Sequence, residues 1–73
     1  MRVTFDPSAD AAYIYLVEKG RGRSVASSQE FEPEDTGGTL ILDFDRDGQL
    51  LGIEVLRARE RLPAVVLEQA DRL

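Results

Sequence analysis

The chain has 73 residues, a formal net charge of −5, no cysteine and no histidine. We therefore expect one small domain over 1–73, near the lower size limit for independent folding and without disulfide or thiolate–zinc support. The missing histidine also removes the usual general base and imidazole ligand, and with them the familiar nucleophilic triads. A domain this small commonly gains stability by oligomerising, so we expect a homodimer.

The same composition limits partners and location. Asp and Glu outnumber Lys and Arg by 14 to 9, which argues against nucleic-acid binding because that affinity depends on neutralising phosphates. No apolar stretch approaches the length of a membrane-spanning helix, and the first residues show no signal-peptide pattern. We expect a cytoplasmic protein that needs no cofactor and makes no membrane contact.

Two short strands open the chain. Residues 2–6 alternate polar and apolar side chains, which is the period of a strand. Asp6 is expected to cap the next turn by accepting hydrogen bonds from the backbone amides of Ser8 or Ala9. Residues 11–17 are apolar on both faces, a pattern typical of a strand covered on both sides. One cover is the core, and the other is the C-terminal helix or a second subunit.

The middle of the chain alternates loops and weaker strands. Residues 18–23 are a mostly basic loop, and 30–38 form an acidic loop that contains Pro33. Between them, residues 24–31 predict a polar strand of the kind found at sheet edges. Residues 39–46 and 49–56 predict two apolar strands joined at Asp47-Gly48.

The Asp47-Gly48 pair predicts a two-residue type I′ hairpin turn, since both residues tolerate positive φ angles. Counting back from that turn fixes every cross-strand pair, and a slip of one residue would mix the apolar and polar faces. A four-residue loop would keep the same faces but would place Phe44 opposite Gln49, so the shorter turn is preferred. The predicted apolar-face pairs are Phe44 with Leu51, Leu42 with Ile53, and Leu40 with Val55. The opposite face pairs Asp45 with Leu50, Asp43 with Gly52, and Ile41 with Glu54.

A rival interpretation of the same stretch is a calcium loop. The spacing D-x-D-x-D-G-x5-E is that of an EF-hand, and its metal candidates are Asp43, Asp45, Asp47 and Glu54. An EF-hand needs a helix on each side, however, and Pro33 with Gly37-Gly38 interrupts any helix upstream. Aspartates at period two also arise on the wet face of a strand. The sequence favours the hairpin and assigns no metal.

Pro63 opens a helix that we predict to run over about 63–72. Its apolar stripe is formed by Leu62, Val65, Val66, Gln69, Ala70 and Leu73, with Leu67 off the stripe. A helix this short must dock on the sheet or on a partner. The interface candidates are Tyr13, Tyr15, Val17, Val66 and Leu73.

Arg57, Arg59 and Arg61 are spaced by two, as on one side of an extended strand. They form the one basic cluster that could contact an anion or an acidic partner. Solvated surface charge is the simpler explanation of such a run.

Two motifs give the chain a resemblance to a known family. The first is Asp6-Pro7-x-Ala9-Asp10-Ala11-x-Tyr13-Ile14-x-Leu16, and the second is Asp43-x-Asp45-x-x-Gly48-x-x-Leu51-Gly52-Ile53-Glu54-Val55-Leu56-x-Ala58. Over about residues 1–62 they resemble the small bacterial proteins catalogued as domain of unknown function 2283. Arg59 stands where that family often has a serine. The resemblance implies a compact α+β unit of antiparallel strands, with no established activity, cofactor or catalytic residue.

These observations predict an α+β fold: a meander-like antiparallel sheet of about five strands, with a C-terminal helix packed on it or on a partner subunit. Family members are similar in size and style to small partners encoded beside toxin-like proteins. The first functional hypothesis is accordingly a homodimeric binding or regulatory module that contacts another protein. The alternative is a carboxylate-dependent metal-binding protein or hydrolase that uses Asp43 and Glu54, with Asp10 as a further candidate carboxylate.

Overall fold

A computed structural model describes residues 1–18, 24–32 and 39–73. Most of the predicted basic loop and most of the predicted acidic loop, residues 19–23 and 33–38, lie outside the described residues. The strands are β1 (Arg2–Asp6), β2 (Ala11–Tyr15), β3 (Ser27–Phe31), β4 (Leu40–Phe44), β5 (Leu50–Leu56) and β6 (Asp71–Arg72). The helices are α1 (Ala58–Arg61) and α2 (Ala64–Gln69). No helix in these ranges is long and apolar enough to cross a membrane.

The six strands form one sheet in the order β3-β4-β5-β2-β1-β6. Every neighbouring pair is antiparallel except β1 and β6, which are parallel. The predicted α+β class, with an antiparallel sheet and a C-terminal helical segment, is confirmed. The order is not that of one continuous meander, because β2 pairs with β5 and β3 lies at the far edge.

The β4–β5 hairpin confirms four of the predicted pairs: Leu40 with Val55, Ile41 with Glu54, Leu42 with Ile53, and Asp43 with Gly52. The predicted two-residue turn is wrong. Gly48 N donates to Asp45 O at 3.0 Å and Asp45 N donates to Gln49 O at 2.9 Å, so the loop has three residues and ends on Gly48 at a φ of 82°.

A three-residue loop alone would turn every later side chain to the opposite face. The ladder avoids this with a register shift between Asp43 and Phe44, which pairs Phe44 with Leu50 instead of the predicted Leu51. One extra residue in β5 thus restores the parity that the apolar pattern requires. Burial of the apolar face therefore decides the register of the strands, and the three-residue loop with its bulge is compatible with that register.

The hydrophobic core lies between the sheet and the two helices. Its buried members are Phe5, Ala12, Val55, Ala58 and Leu67, and Leu62 and Ala70 pack against them. The helices thus cover one face of β1, β2 and β5. No described helix covers the second face of β2, and its covering by a second subunit stays a prediction.

The C-terminal segment differs most from its prediction. A single helix over 63–72 is wrong: α2 covers only residues 64–69, and residues 71–72 form β6 against β1. Leu67, which the predicted stripe left out, is the residue docked in the core at 9% exposure, whereas Val65 is 54% exposed. The predicted stripe assumes a helix over residues 63–72. The observed helix α2 is shorter, and the pairing of β6 with β1 sets which of its side chains face the sheet.

Candidate functional site

The face of the sheet opposite the core carries a row of polar and aromatic side chains. The pairing register places Tyr15 beside Gly52, Gly52 beside Asp43, and Asp43 beside Ser28. Tyr13 lies two residues before Tyr15 and therefore on the same face, paired with Glu54. We call this surface the tyrosine face and define it by these side chains: Tyr13, Tyr15, Ser28, Asp43, Gly52 and Glu54.

A hydrogen-bonded network joins three strands across this face. The Tyr13 hydroxyl donates to one oxygen of Asp43 at 2.6 Å, and the Ser28 hydroxyl donates to the other oxygen at 2.6 Å. Tyr13 belongs to β2 and Asp43 to β4, so the ring has to cross β5 to make this contact. Both carboxylate oxygens of Asp43 are thereby engaged in holding the sheet.

Gly52 is the residue that makes this crossing sterically feasible. A Cβ atom placed on it would lie 2.5 Å from Cε1 of Tyr13 and 2.6 Å from the hydroxyl oxygen. Real Cβ atoms do not approach other atoms so closely, so the ring occupies the space that a side chain would fill. Here glycine is required for close approach and not for an unusual φ angle.

The electrostatics of the face keep Tyr13 in its neutral form. Burial raises the pKa of Tyr13, and the hydrogen bond to Asp43 and the negative charges nearby raise it further. The hydroxyl is a donor to a carboxylate and would have to ionise against that charge. Tyr13 is therefore a fixed hydrogen-bond donor and is not suited to act as a base or nucleophile near neutral pH.

A cleft lies next to Tyr15, at the edge of the tyrosine face. The Tyr13 and Tyr15 rings lie 4.5 Å apart between centroids, and the Arg2 guanidinium lies 5.9 Å from the Tyr15 centroid. Arg2 also binds Asp71 at 2.9 Å. An open cleft of about 470 Å³ adjoins them, lined by Met1, Arg2, Tyr15, Leu16, Val17 and Glu18. Its lining is half apolar and charged at the rim, so it favours an amphipathic contact.

The residues of the rival calcium-loop interpretation lie in different parts of the hairpin: Asp43 in β4, Asp45 and Asp47 between the strands, and Glu54 in β5. Strands, not helices, flank the loop, so the EF-hand interpretation is wrong in its fold. Asp45 is 5% exposed, and its Oδ1 accepts hydrogen bonds from the amides of Asp47 and Gln49, both at 2.9 Å. Within residues 1–18, 24–32 and 39–73, no group of three acidic side chains converges on a metal position.

The predicted interface residues do not form one surface. Tyr13 and Tyr15 lie together on the tyrosine face, partly buried, and Val17 follows beyond the end of β2 at 38% exposure. Val66 belongs to α2, which packs against β1 on the core side, and Leu73 follows β6 at the sheet edge. Leu73 is 75% exposed. Their role in an interface stays a prediction.

The extended arrangement predicted for Arg57, Arg59 and Arg61 is wrong. Arg57 has a left-handed φ of 56° and precedes α1, which contains the other two. Arg57 binds Glu60 at 3.1 Å, and Arg59 binds Asp10 at 3.3 Å. Arg61 has two buried guanidinium nitrogens that find no hydrogen-bond partner within the part of the chain that the structure describes. The three side chains do not share the side of a strand, and a contact with an anion stays a prediction.

Two aspartates near the start of the chain have structural roles. Oδ1 of Asp6 accepts hydrogen bonds from the amides of Ser8 at 3.1 Å and Ala9 at 3.4 Å, which confirms the predicted cap. The Ser8 hydroxyl also donates to it and lowers the pKa of Asp6. Asp10, at a positive φ of 52°, accepts from the Arg59 amide at 3.0 Å and so ties the β1–β2 turn to α1.

Comparison with known proteins identifies a family. The model of the family described as Protein of unknown function (DUF2283) matches residues 2–59 of the 73. The chain belongs to this family. No curated protein and no solved structure matches significantly. The DUF2283 match contains the whole tyrosine face and Asp10, whereas α2 and β6 lie beyond it.

Sequence reasoning missed Ser28 and the purpose of Gly52 in this DUF2283 chain. The predicted hairpin register already paired Asp43 with Gly52. A glycine in the middle of a strand is a signal that another group occupies the space of its missing side chain. Ser28 left no such signal, because the pairing of β3 with β4 depends on contacts across an intervening loop. The same-face placement of Asp43 and Glu54 was predicted and is confirmed by their partners, Gly52 and Ile41.

Proposed function

We propose that this protein is a small binding module that works as a homodimer in the cytoplasm and contacts another protein through its tyrosine face. The observation that carries the proposal is the use of Asp43. Both of its oxygens accept hydrogen bonds from within the sheet, so the best-placed carboxylate stabilises a surface and is not free for catalysis.

Three further aspartates likewise bind backbone amides of the fold. Asp45 binds the turn backbone, Asp6 binds the next turn, and Asp10 binds the start of α1. A surface that combines partly buried tyrosines with a fixed carboxylate suits protein recognition, because tyrosine adds large contact area at low entropic cost. The family resemblance suggests which partner to test first: a toxin-like protein encoded beside this chain.

A pull-down from the native host tests the partner contact. We expect a tagged wild-type chain to retain a specific partner and Tyr15→Ser to lose it. Val65→Ser is the matched control, since Val65 is 54% exposed on α2 and lies off the tyrosine face. Equal retention by both variants would place the contact elsewhere and remove the tyrosine face from the proposal.

Light scattering after size exclusion tests the homodimer, and a mass of about 16 kDa is expected from two chains of 8.1 kDa. The alternative, a carboxylate-dependent metal protein or hydrolase that uses Asp43 and Glu54, is favoured only by the shared face of these two residues. Calorimetric titration with calcium and magnesium separates the two. Heat that saturates with either metal and disappears in Asp43→Asn would support the alternative.

A further inference from the structure

Strand β3 is the outer strand on one side of the sheet. All five of its residues are exposed, and among the described residues it pairs only with β4. An outer strand presents a row of unpaired backbone donors and acceptors, and proteins commonly protect such an edge with lysine, proline or a bulge. β3 contains a single charged residue, Glu30, and no lysine or proline.

Exposed apolar side chains lie at both ends of this edge. Phe31 is 55% exposed at the end of β3, and Val25 is 52% exposed just before its start. The segment leading into β3 stays along β4, since Ala26 N donates to Phe44 O at 2.8 Å. Two large apolar groups about six residues apart on one exposed edge predict a partner strand that offers apolar groups at the same spacing.

A second copy of β3 offers that spacing when it runs antiparallel. A two-fold axis through Ser28 places Val25 of each copy opposite Phe31 of the other, and Ala26 opposite Glu30. No two like charges then face each other. An axis through Glu30 instead sets two glutamates directly opposite, which is destabilising, and an axis through Gln29 leaves Phe31 opposite Ser27.

We propose that two copies of this chain join edge to edge through β3, antiparallel and centred on Ser28, to form one continuous sheet. This inference rests on the homodimer of the proposed function and names its interface. Main-chain hydrogen bonds hold the two copies, and the paired Val25 and Phe31 side chains fix the register. The Tyr13–Asp43–Ser28 network of each copy then meets its equivalent at the axis.

Single-cysteine variants test the register, because the chain has no cysteine of its own. In Ser28→Cys the two thiols face each other across the axis, within the Cα separation of about 4.5–5.5 Å that a disulfide accepts. We expect a cross-linked dimer under mild oxidation. Glu30→Cys is the control, since its two thiols would lie about 13 Å apart along the strands. It should stay uncross-linked.

The outcomes separate this inference from the proposed function. A dimeric mass without a Ser28→Cys cross-link would overturn the β3 interface and leave the homodimer standing. A monomeric mass would overturn both. Should Ser28→Cys fail to fold, an equal mixture of the Val25→Cys and Phe31→Cys variants replaces it. A cross-linked heterodimer would support the register, and its absence would overturn it.

Charge at Ala26 gives a second, non-covalent test. Ala26→Lys places a cation opposite Glu30 of the other copy twice per dimer, whereas Ala26→Glu places an anion there. We expect the dimer dissociation constant of the lysine variant to be lower than that of the glutamate variant by about tenfold at low salt. Equal dissociation constants for the two variants would contradict the proposed register.

Discussion

At the residue scale, the tyrosine face depends on the absence of a side chain at Gly52, because this lets the Tyr13 ring lie across β5. The tyrosine ring fills the place of the absent Cβ and delivers its hydroxyl to Asp43, 30 residues away in sequence. That bond is charge-assisted, and such bonds are stronger than neutral ones. The tyrosine face therefore depends on a glycine whose own conformation is ordinary.

Gly52→Ala is expected to lower the free energy of unfolding by about 2 kcal/mol. The new Cβ would force the Tyr13 ring to move and break its hydrogen bond to the half-buried carboxylate of Asp43. Urea unfolding followed by circular dichroism measures the change. Gly48→Ala is the control, because it meets no atom within 4 Å and carries only the strain of its positive φ. Wild-type stability in Gly52→Ala would contradict the crossing of β5 by the ring.

Tyr13 also predicts a loss of stability at alkaline pH. Its pKa is raised in the folded protein, whereas in the unfolded chain it ionises near its ordinary value of 10.0. Above that value the unfolded state releases a proton that the folded state retains, so stability falls as pH rises further. Urea midpoints measured between about pH 9 and 11 should fall less steeply for Tyr13→Phe than for wild type. Parallel slopes would contradict the assignment.

At the element scale, the β4–β5 hairpin is held by a buried carboxylate. Asp45 folds back on the turn, where its Oδ1 accepts hydrogen bonds from the backbone amides of Asp47 and Gln49. The three aspartates that match the calcium-loop spacing therefore have different structural positions. Asp43 stabilises the sheet face, Asp45 stabilises the turn, and Asp47 is exposed. The extended strand and the turn place them at different points along the hairpin.

Asp45→Ala is expected to cost about 2 kcal/mol of stability, since it removes the buried side chain that accepts hydrogen bonds from two backbone amides of the turn. Asp47→Ala, two residues further along the chain and exposed, should change stability by less than about 0.5 kcal/mol. Thermal or urea unfolding of the two variants provides the comparison. If both behave alike, the side chain of Asp45 does not hold the turn.

At the scale of the whole molecule, the helices cover only one face of the sheet, and they are short. The core joins Phe5 and Ala12 from the first hairpin to Val55 from β5 and to Ala58 and Leu67 from the helices. β6 returns the end of the chain to β1, and Leu73 N donates to Phe5 O at 3.0 Å. The fold is closed by contacts between the two ends of the chain.

Leu67→Ala is expected to destabilise the fold by roughly 2 to 4 kcal/mol, because it opens a cavity under α2 where the core is small. That is a large share of the stability of a domain of this size. Val65→Ala is the control, with an expected change of less than about 0.5 kcal/mol. Should the two variants unfold at the same urea concentration, α2 would not dock through Leu67.

The sequence by itself determined five of the six described strands, the four hairpin pairs from Leu40–Val55 to Asp43–Gly52, and the cap at Asp6. Each of these follows from alternation or from groups a few residues apart. Only the tertiary structure decided that β2 pairs with β5, that Tyr13 reaches Asp43 across Gly52, and that Leu67 enters the core. These contacts join residues far apart in the chain, and their geometry depends on strand order, which local periodicity does not encode.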